Sequence, residues 1–290
     1  DGSYHLILLC KNETGYKNLI KLVSAGFTEG FYSKPRIDHE LLEQHHEGLV
    51  CLSACLAGEI PQALLGGDYD KARNLAKYYQ ELFGKGNYYL EIQDHGLEQQ
   101  TVLPMIVQLA KETGIPLVAT NDSHYLTRED SKMQRILICI QTNKTVNDDD
   151  VLEFGTDEFY VKSTDEMYEL FSAWPEACEN TNKIADMCNF DFEFGVTKLP
   201  YFEAPDGMDN KEYFVKLCNE GLVRRYGSSV TPELRQRLDY EIGVIDRMGY
   251  VNYYLIVFDF INYAKTQGIP VGPGRGSGAG SLAAYCVGIT

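Results

Sequence analysis

Up to about residue 185, short apolar runs alternate with amphipathic stretches of helical period. A chain patterned this way folds as a mainly parallel sheet or barrel wrapped by helices. Residues 5–10 read as a strand, and a helix follows from Thr14 with Leu19, Ile20 and Val23 on one face. Residues 48–52 form the next strand. A helix over 68–83 then keeps Ala72, Leu75, Ala76, Tyr79 and Leu82 at the 3.6-residue period and stops at Gly84. The series continues with a strand at 88–92, a helix over about 103–113 with Pro104 in its first turn and Gly114 after it, and a strand at 116–120. Ser163-Thr164-Asp165-Glu166 has capping-box spacing and opens a helix carrying Met167 and Leu170.

The pattern lapses between about 189 and 209, which reads as a linker, and the remainder of the chain is almost all helical. One helix covers about 210–226. A second starts at Thr231-Pro232-Glu233 and carries Leu234, Leu238, Ile242 and Ile245, and an aromatic-rich third covers 251–266. A short strand at 269–271 leads into a glycine-rich run and a new helix. The expected division is residues 1–188 and residues 189–290. A length of 290 residues accommodates two such domains, and 44% hydrophobic with 23% charged residues excludes long disorder and coiled coils. The start at Asp1 and the apolar residues 286–290 lead to the expectation of a piece of a longer protein, without a visible secretory leader.

Two features of composition bear on function. The eight cysteines (10, 51, 55, 139, 178, 188, 218, 286) are scattered and form no CxxC pair, as expected of thiols in a reducing cytoplasm. Lys and Arg total 26 against 42 Asp and Glu, a net charge of −16 that repels a phosphate backbone over most of the surface. Residues 251–290, however, hold only Lys265, Arg275 and Asp259, so a nucleotide site in that segment is compatible with the acidic whole.

Residues 272–281, Gly-Pro-Gly-Arg-Gly-Ser-Gly-Ala-Gly-Ser, carry the strongest local signal. Glycines allow positive φ and turn successive N–H groups inward, and the helix that follows aims its positive end at the same place, so the turn suits a polyphosphate. Arg275 and Ser277 add a cation and a hydroxyl. No Lys-Ser/Thr follows, so this is not a Walker loop, and neither serine has the glycine flanks of a nucleophile elbow. The spacing Gly274-x-Gly276-x-x-Ala279 satisfies the dinucleotide fingerprint only weakly. The alternative is a purely structural turn.

A second signal is Asp122-Ser123-His124 at the end of an apolar strand. Alternate positions of an extended chain share a face, so the pair either supplies two metal ligands or forms an Asx-type turn with a surface histidine. Asp94-His95 is a weaker version of the same pattern. His39, His45 and His46 read as solvated residues of a polar helix, and Cys55, just past a strand, reads as a buried inert thiol.

Residues 271–285 (VGPGRGSGAGSLAAY) resemble the signature opening the palm in the alpha-subunit family of bacterial DNA polymerase III, the C-family replicative polymerases. Residues 5–9 (HLILL), 12–19 (NETGYKNL), 52–58 (LSACLAG) and 119–125 (ATNDSHY) resemble, in order, motifs of that family's PHP domain. The resemblance covers the whole chain. It implies an α/β fold, an incomplete distorted (β/α)7 PHP barrel over residues 1–188, followed by a mainly helical segment leading into the palm. It also implies a divalent metal (zinc, manganese or iron) held by His5, Cys55, Asp122 and His124, and nucleotide phosphates held by Gly276 and Ser277 with Arg275 beside them.

By the same resemblance, the parent protein performs template-directed DNA synthesis with magnesium on palm carboxylates that would follow Thr290, while further PHP ligands would precede Asp1. The piece itself is then expected to be inactive as a polymerase. The implied partners are a DNA primer-template, a deoxynucleoside triphosphate, a sliding clamp and a proofreading subunit, in the cytoplasm. The PHP domain would support a 3′-5′ exonuclease or phosphoesterase activity. Two other readings stand beside this one: a freestanding metal-dependent phosphoesterase, and a PHP barrel serving as a non-catalytic scaffold.

Overall fold

The computed structural model describes residues 3–96, 98–148, 150, 154–196, 198–272, 274 and 276–290. The chain divides into two compact units, Asp1–Phe192 and Glu193–Thr290. Among the described residues, no helix is long and apolar enough to cross a membrane.

The first unit is a mixed α/β layer structure. Its elements run β1 (Ile7–Cys10), α1 (Glu13–Thr28), α2 (His39–Gln44), β2 (Leu49–Leu52), α3 (Glu59–Leu65), α4 (Tyr69–Phe83), β3 (Tyr88–Ile92), α5 (Glu98–Thr113), β4 (Leu117–Ala119), α6 (Ser131–Gln141), α7 (Thr164–Leu170) and α8 (Pro175–Met187). The strands form one sheet in the order β1-β2-β3-β4. β2, β3 and β4 are parallel, with Cys51 beside Tyr88 and Leu90 beside Leu117. β1 is antiparallel to β2, pairing Ile7 with Leu52 and Cys10 with Leu49. Among the described residues, β1 and β4 stand at the two ends of this order, so the strands make a small mixed sheet where the sequence led us to expect a mainly parallel barrel.

The parallel strands are buried on both faces, which is why they read as continuous apolar runs. Cys51, Tyr88, Leu90 and Ile92 pack with Leu22, Leu42, Leu109 and the faces of α3 and α4. Val50, Leu52, Tyr89 and Val118 pack against Ile184 of α8 on the other side.

Three sequence expectations are corrected here. In α1 the side turned to the core is Gly15, Leu22 and Gly26, with Leu19 packed beside it, while Ile20 and Val23 are exposed. The glycines are there because backbone passes close by: a Cβ on Gly15 would fall on the Gly48 carbonyl. α5 begins at Glu98, so Pro104 lies inside it and not in its first turn. The polar residues 98–100 offered no apolar period by which to extend the helix backwards. Finally, among the described residues no strand forms at 269–271, where a central proline and the lack of a neighbouring strand leave nothing to pair.

Asn12 caps α1 by accepting the Gly15 N–H on its side chain at 3.0 Å. Asn12→Ala is therefore expected to cost about 1 kcal/mol, measured by urea denaturation. No loss would mean that the Gly15 amide finds another acceptor.

The second unit is helical: α9 (Asn210–Tyr226), α10 (Pro232–Arg247), α11 (Val251–Thr266) and α12 (Leu282–Val287). Phe214, Cys218, Leu222, Leu238, Ile242, Leu255, Ala283 and Cys286 form its core. Thr231 caps α10 with Pro232 in its first turn, as the sequence spacing requires.

Candidate functional site

His5 opens its strand, which at first sight places it at the wrong end for a site built at strand termini. The antiparallel setting of β1 removes the difficulty, because the start of β1 lies at the carboxyl end of β2. The His5 N–H donates to the Ala57 carbonyl at 2.9 Å, and the His5 Nδ1 lies 3.6 Å from the Cys55 Sγ. The intervening turn is shaped by backbone. Ala54 adopts φ 66°, and its N–H donates to the Glu91 carboxylate at 2.5 Å. Gly58 presses so closely on the Ser53 carbonyl that a Cβ would overlap it. Burial, above all, pushes the Cys55 thiol up, with the charges of Asp122 and Glu91 adding to it against two opposing backbone hydrogen bonds. The sulfur thus keeps its proton, which a metal would have to displace.

Asp122 and His124 form a second pair past β4, with Oδ1 and Nε2 3.7 Å apart. They meet through a left-handed turn, Asp122 having φ 44°, and not by extended alternation. The loop is held from several sides. The His124 N–H donates to the Phe159 carbonyl at 2.8 Å, and its ring packs on Phe154 and Phe159. Asn121 donates to the Tyr160 carbonyl at 2.6 Å and accepts from the Lys162 Nζ at 3.1 Å.

The Asn121 carbonyl accepts the His95 Nε2 proton at 2.6 Å. His95 is buried and stacked on Phe159 at 4.0 Å, and burial lowers its pKa, so the ring stays neutral and anchors this loop. Asp94 turns instead to the Gly96 N–H. His39 is not merely solvated: it lies 3.2 Å from the Glu59 carboxylate and 3.1 Å from the Tyr79 hydroxyl. His46 lies against the Glu43 carbonyl, and His45 ends α2.

Sequence reading missed Glu91. It is 4% exposed in β3, where a lone carboxylate in the run Tyr-Tyr-Leu-Glu-Ile was the available signal. Its carboxylate accepts the Ala54 N–H and the Thr120 hydroxyl, the latter at 2.7 Å. Its own N–H donates to the Ser53 hydroxyl at 2.8 Å. Glu91 therefore ties together the carboxyl ends of β2, β3 and β4, from which Cys55 and Asp122 depart. Burial raises its pKa, against the hydrogen bonds from Thr120 and Ala54, and the charge of Asp122 adds to the rise. The arrangement is thus two donor pairs sharing one electrostatic neighbourhood. Among the described residues no three of His, Cys, Asp and Glu gather closely enough to hold a metal ion.

In the second unit the glycine-rich segment takes positive φ at Gly274 (99°) and Gly276 (61°) and continues as a 3-10 turn over Gly276–Gly280. Arg275 and the side chain of Ser277 lie outside the described residues. The expectation that the following helix offers its positive end to a ligand is corrected. The Ala283 N–H donates to the Glu241 Oε2 at 2.9 Å, and the Ala284 N–H to the Ser281 hydroxyl at 3.1 Å. Burial alone would raise the pKa of Glu241, but hydrogen bonds from Ala283, Arg237 and Ser281 outweigh it and hold the carboxyl below the usual range. The start of α12 is already neutralised from within.

The far side of α12 is held through its backbone. Arg224 donates to the Cys286 carbonyl at 3.0 Å, Arg225 to those of Tyr285 and Thr290, each at 3.2 Å, and Lys265 to that of Gly288 at 2.6 Å.

Residues 1–95 match the PHP domain family, and residues 212–290 match the family described as bacterial DNA polymerase III alpha NTPase domain. The chain is 51% identical over 289 residues to the DNA polymerase III subunit alpha of Treponema pallidum, covering 99% of this chain and 25% of that protein. It is 47% identical to the subunit of the same name from Borreliella burgdorferi, with the same coverages. With that from Thermus aquaticus it shares 39% identity, over 100% of this chain and 29% of the relative. The chain thus spans about a quarter of the length of the curated relatives it matches.

Proposed function

We propose that the chain belongs to the bacterial DNA polymerase III alpha-subunit family and is part of the catalytic subunit of a replicative DNA polymerase. The matches of residues 1–95 and 212–290 support this reading, as does 51% identity over 289 residues to a subunit of that name. In this reading the first unit is part of a distorted (β/α)7 PHP barrel and the second leads into the palm. Substrates are a DNA primer-template and a deoxynucleoside triphosphate, and partners are the sliding clamp and a proofreading subunit, in the cytoplasm. Arg275, Gly276 and Ser277 hold the phosphates of the incoming nucleotide. Magnesium on carboxylates outside this chain supplies the charge neutralisation that phosphoryl transfer needs.

The observation that carries the nucleotide reading is the positive φ at Gly274 and Gly276 beside an arginine. Positive φ at such glycines turns main-chain N–H groups toward one side, where an anion is received. In the complete natural chain containing these residues, Arg275→Ala removes a charge-assisted contact and is expected to slow single-nucleotide primer extension about tenfold or more. Gly276→Val should be as harmful, because a β-branched side chain resists positive φ and blocks close approach of a phosphate. Wild-type extension by both variants would leave only a structural turn.

For the first unit we propose that the pairs His5–Cys55 and Asp122–His124 contribute donors to a divalent-metal centre completed outside the described residues. Sulfur, imidazole and carboxylate together suit zinc, manganese or iron better than magnesium. Such a centre would give the barrel an exonuclease or phosphoesterase capacity. A second reading is a non-catalytic scaffold, for which no metal binding that depends on Asp122 is expected. The isolated 290-residue chain is expected to bind zinc or manganese weakly, and Asp122→Ala to abolish that binding in equilibrium dialysis. Tight stoichiometric metal that survives Asp122→Ala would locate the site elsewhere.

A further inference from the structure

Glu241 lies on the face of α10 that is otherwise Leu238, Ile242 and Ile245, and it is 8% exposed. A carboxylate in that position needs strong partners, and it has three. Oε2 accepts the Ser281 hydroxyl and the Ala283 N–H, both at 2.9 Å. Oε1 accepts the Arg237 Nε at 2.7 Å. Ser281 is where the glycine-rich segment joins α12. One buried oxygen atom therefore fixes the downstream end of that segment onto a helix 40 positions earlier in the chain.

At the opposite end, Gly274 lies against the Thr290 side chain and donates its N–H to the Gly272 carbonyl at 2.9 Å. Between the two ends, Gly276, Gly278 and Gly280 have open space where a side chain would be. A glycine arc with neither end fixed would have to be ordered by its ligand, at an entropic cost to affinity.

We propose that Glu241 is a positioning residue for nucleotide binding: by hooking Ser281 and the start of α12, it fixes one end of the glycine-rich arc in the conformation that receives phosphate. This rests on the phosphate reading of residues 274–280. The hook depends on reach and on an acceptor oxygen, and the Arg237 ion pair is incidental to it, since Arg237 is itself largely exposed.

The test uses the complete natural chain that contains these residues, with the KM for a deoxynucleoside triphosphate measured in single-nucleotide extension and the DNA Kd measured alongside. Glu241→Asp keeps the charge but withdraws the oxygen by one methylene, and Glu241→Ala removes it. Both are expected to raise the nucleotide KM about tenfold, equivalent to about 1.4 kcal/mol, with DNA affinity unchanged. Glu241→Gln keeps an oxygen for Ser281 and Ala283 and is expected to restore the wild-type KM. A fold defect would lower the active fraction and leave the KM of the remaining enzyme unmoved, and Glu241→Asp gives a reading even if the alanine variant does not fold.

Wild-type KM in Glu241→Asp, or a KM in Glu241→Gln as high as in Glu241→Asp, overturns the proposal. Gly276→Val, run in parallel, separates the two levels. If it raises the KM while Glu241→Asp does not, only the role of Glu241 falls. If it leaves the KM unchanged, the phosphate reading falls and this proposal with it.

Discussion

Gly221→Val is expected to destabilise the helical unit by about 3 kcal/mol or more, at the upper end of what overpacking costs. Gly221 lies on α9, where a Cβ would overlap the Cys286 carbonyl of α12. The obstacle is backbone, so no rotamer change relieves it. α12 cannot easily withdraw either, because Arg224, Arg225 and Lys265 hold its carbonyls on one side and Glu241 holds its start on the other. Native-state hydrogen exchange of the α9 and α12 amides is the measurement. Protection unchanged within about 1 kcal/mol would mean that α12 shifts to accommodate the side chain at little cost.

Glu91→Ala is expected to cost about 2–4 kcal/mol, since it strands the buried Ala54 N–H and the Thr120 hydroxyl without their acceptor. Glu91→Gln separates charge from shape. The folded-state pKa of Glu91 lies above its unfolded value because burial disfavours the anion. The folded state therefore binds the proton more tightly, and this residue's contribution to stability falls as pH rises from the unfolded value toward the folded one. Wild-type chain should lose stability relative to Glu91→Gln across that window in urea titrations at a series of pH values. Parallel pH profiles would mean that the carboxyl is solvated and that its hydrogen bonds carry no penalty of burial.

The helices of the second unit were the most legible part of the sequence, because α10 joins the cap Thr231-Pro232 to a clear 3.6-residue period and Gly227 marks the end of α9. The strands were equally plain as apolar runs, but their directions were not. Nothing local in residues 5–10 tells an antiparallel strand from a parallel one, and that direction decides where His5 lies. The α1 face misled because glycine contributes nothing to an apolar period, yet Gly15 and Gly26 mark the side turned inward. Glu91 and Glu241 were passed over for a shared reason. Each is a single acidic residue in an apolar pattern, and, Arg237 apart, its partners lie 29 to 42 positions away in sequence. The pairing of Asp122 with His124 came from spacing alone, whereas the neighbourhood of Cys55 was accessible only through resemblance.

The grip on α12 also bears on how freely its sequence can drift. Arg224, Arg225 and Lys265 address main-chain oxygens, and every amino acid supplies the same oxygen at those positions. The hydrogen-bonding side chains of that clasp all belong to α9 and α11, and the held segment adds the Tyr285 ring, 4.1 Å from the Arg225 guanidinium. The side chains of Tyr285 and Thr290 make none of these hydrogen bonds, but the Tyr285 ring supports the Arg225 guanidinium and Gly288 is constrained by its φ of 90°. A saturation library across 285–290, extended to Arg224 and Arg225, would then show its strongest intolerance at those two arginines, about 60 residues upstream, and would accept at Tyr285 chiefly residues whose ring can lie under Arg225.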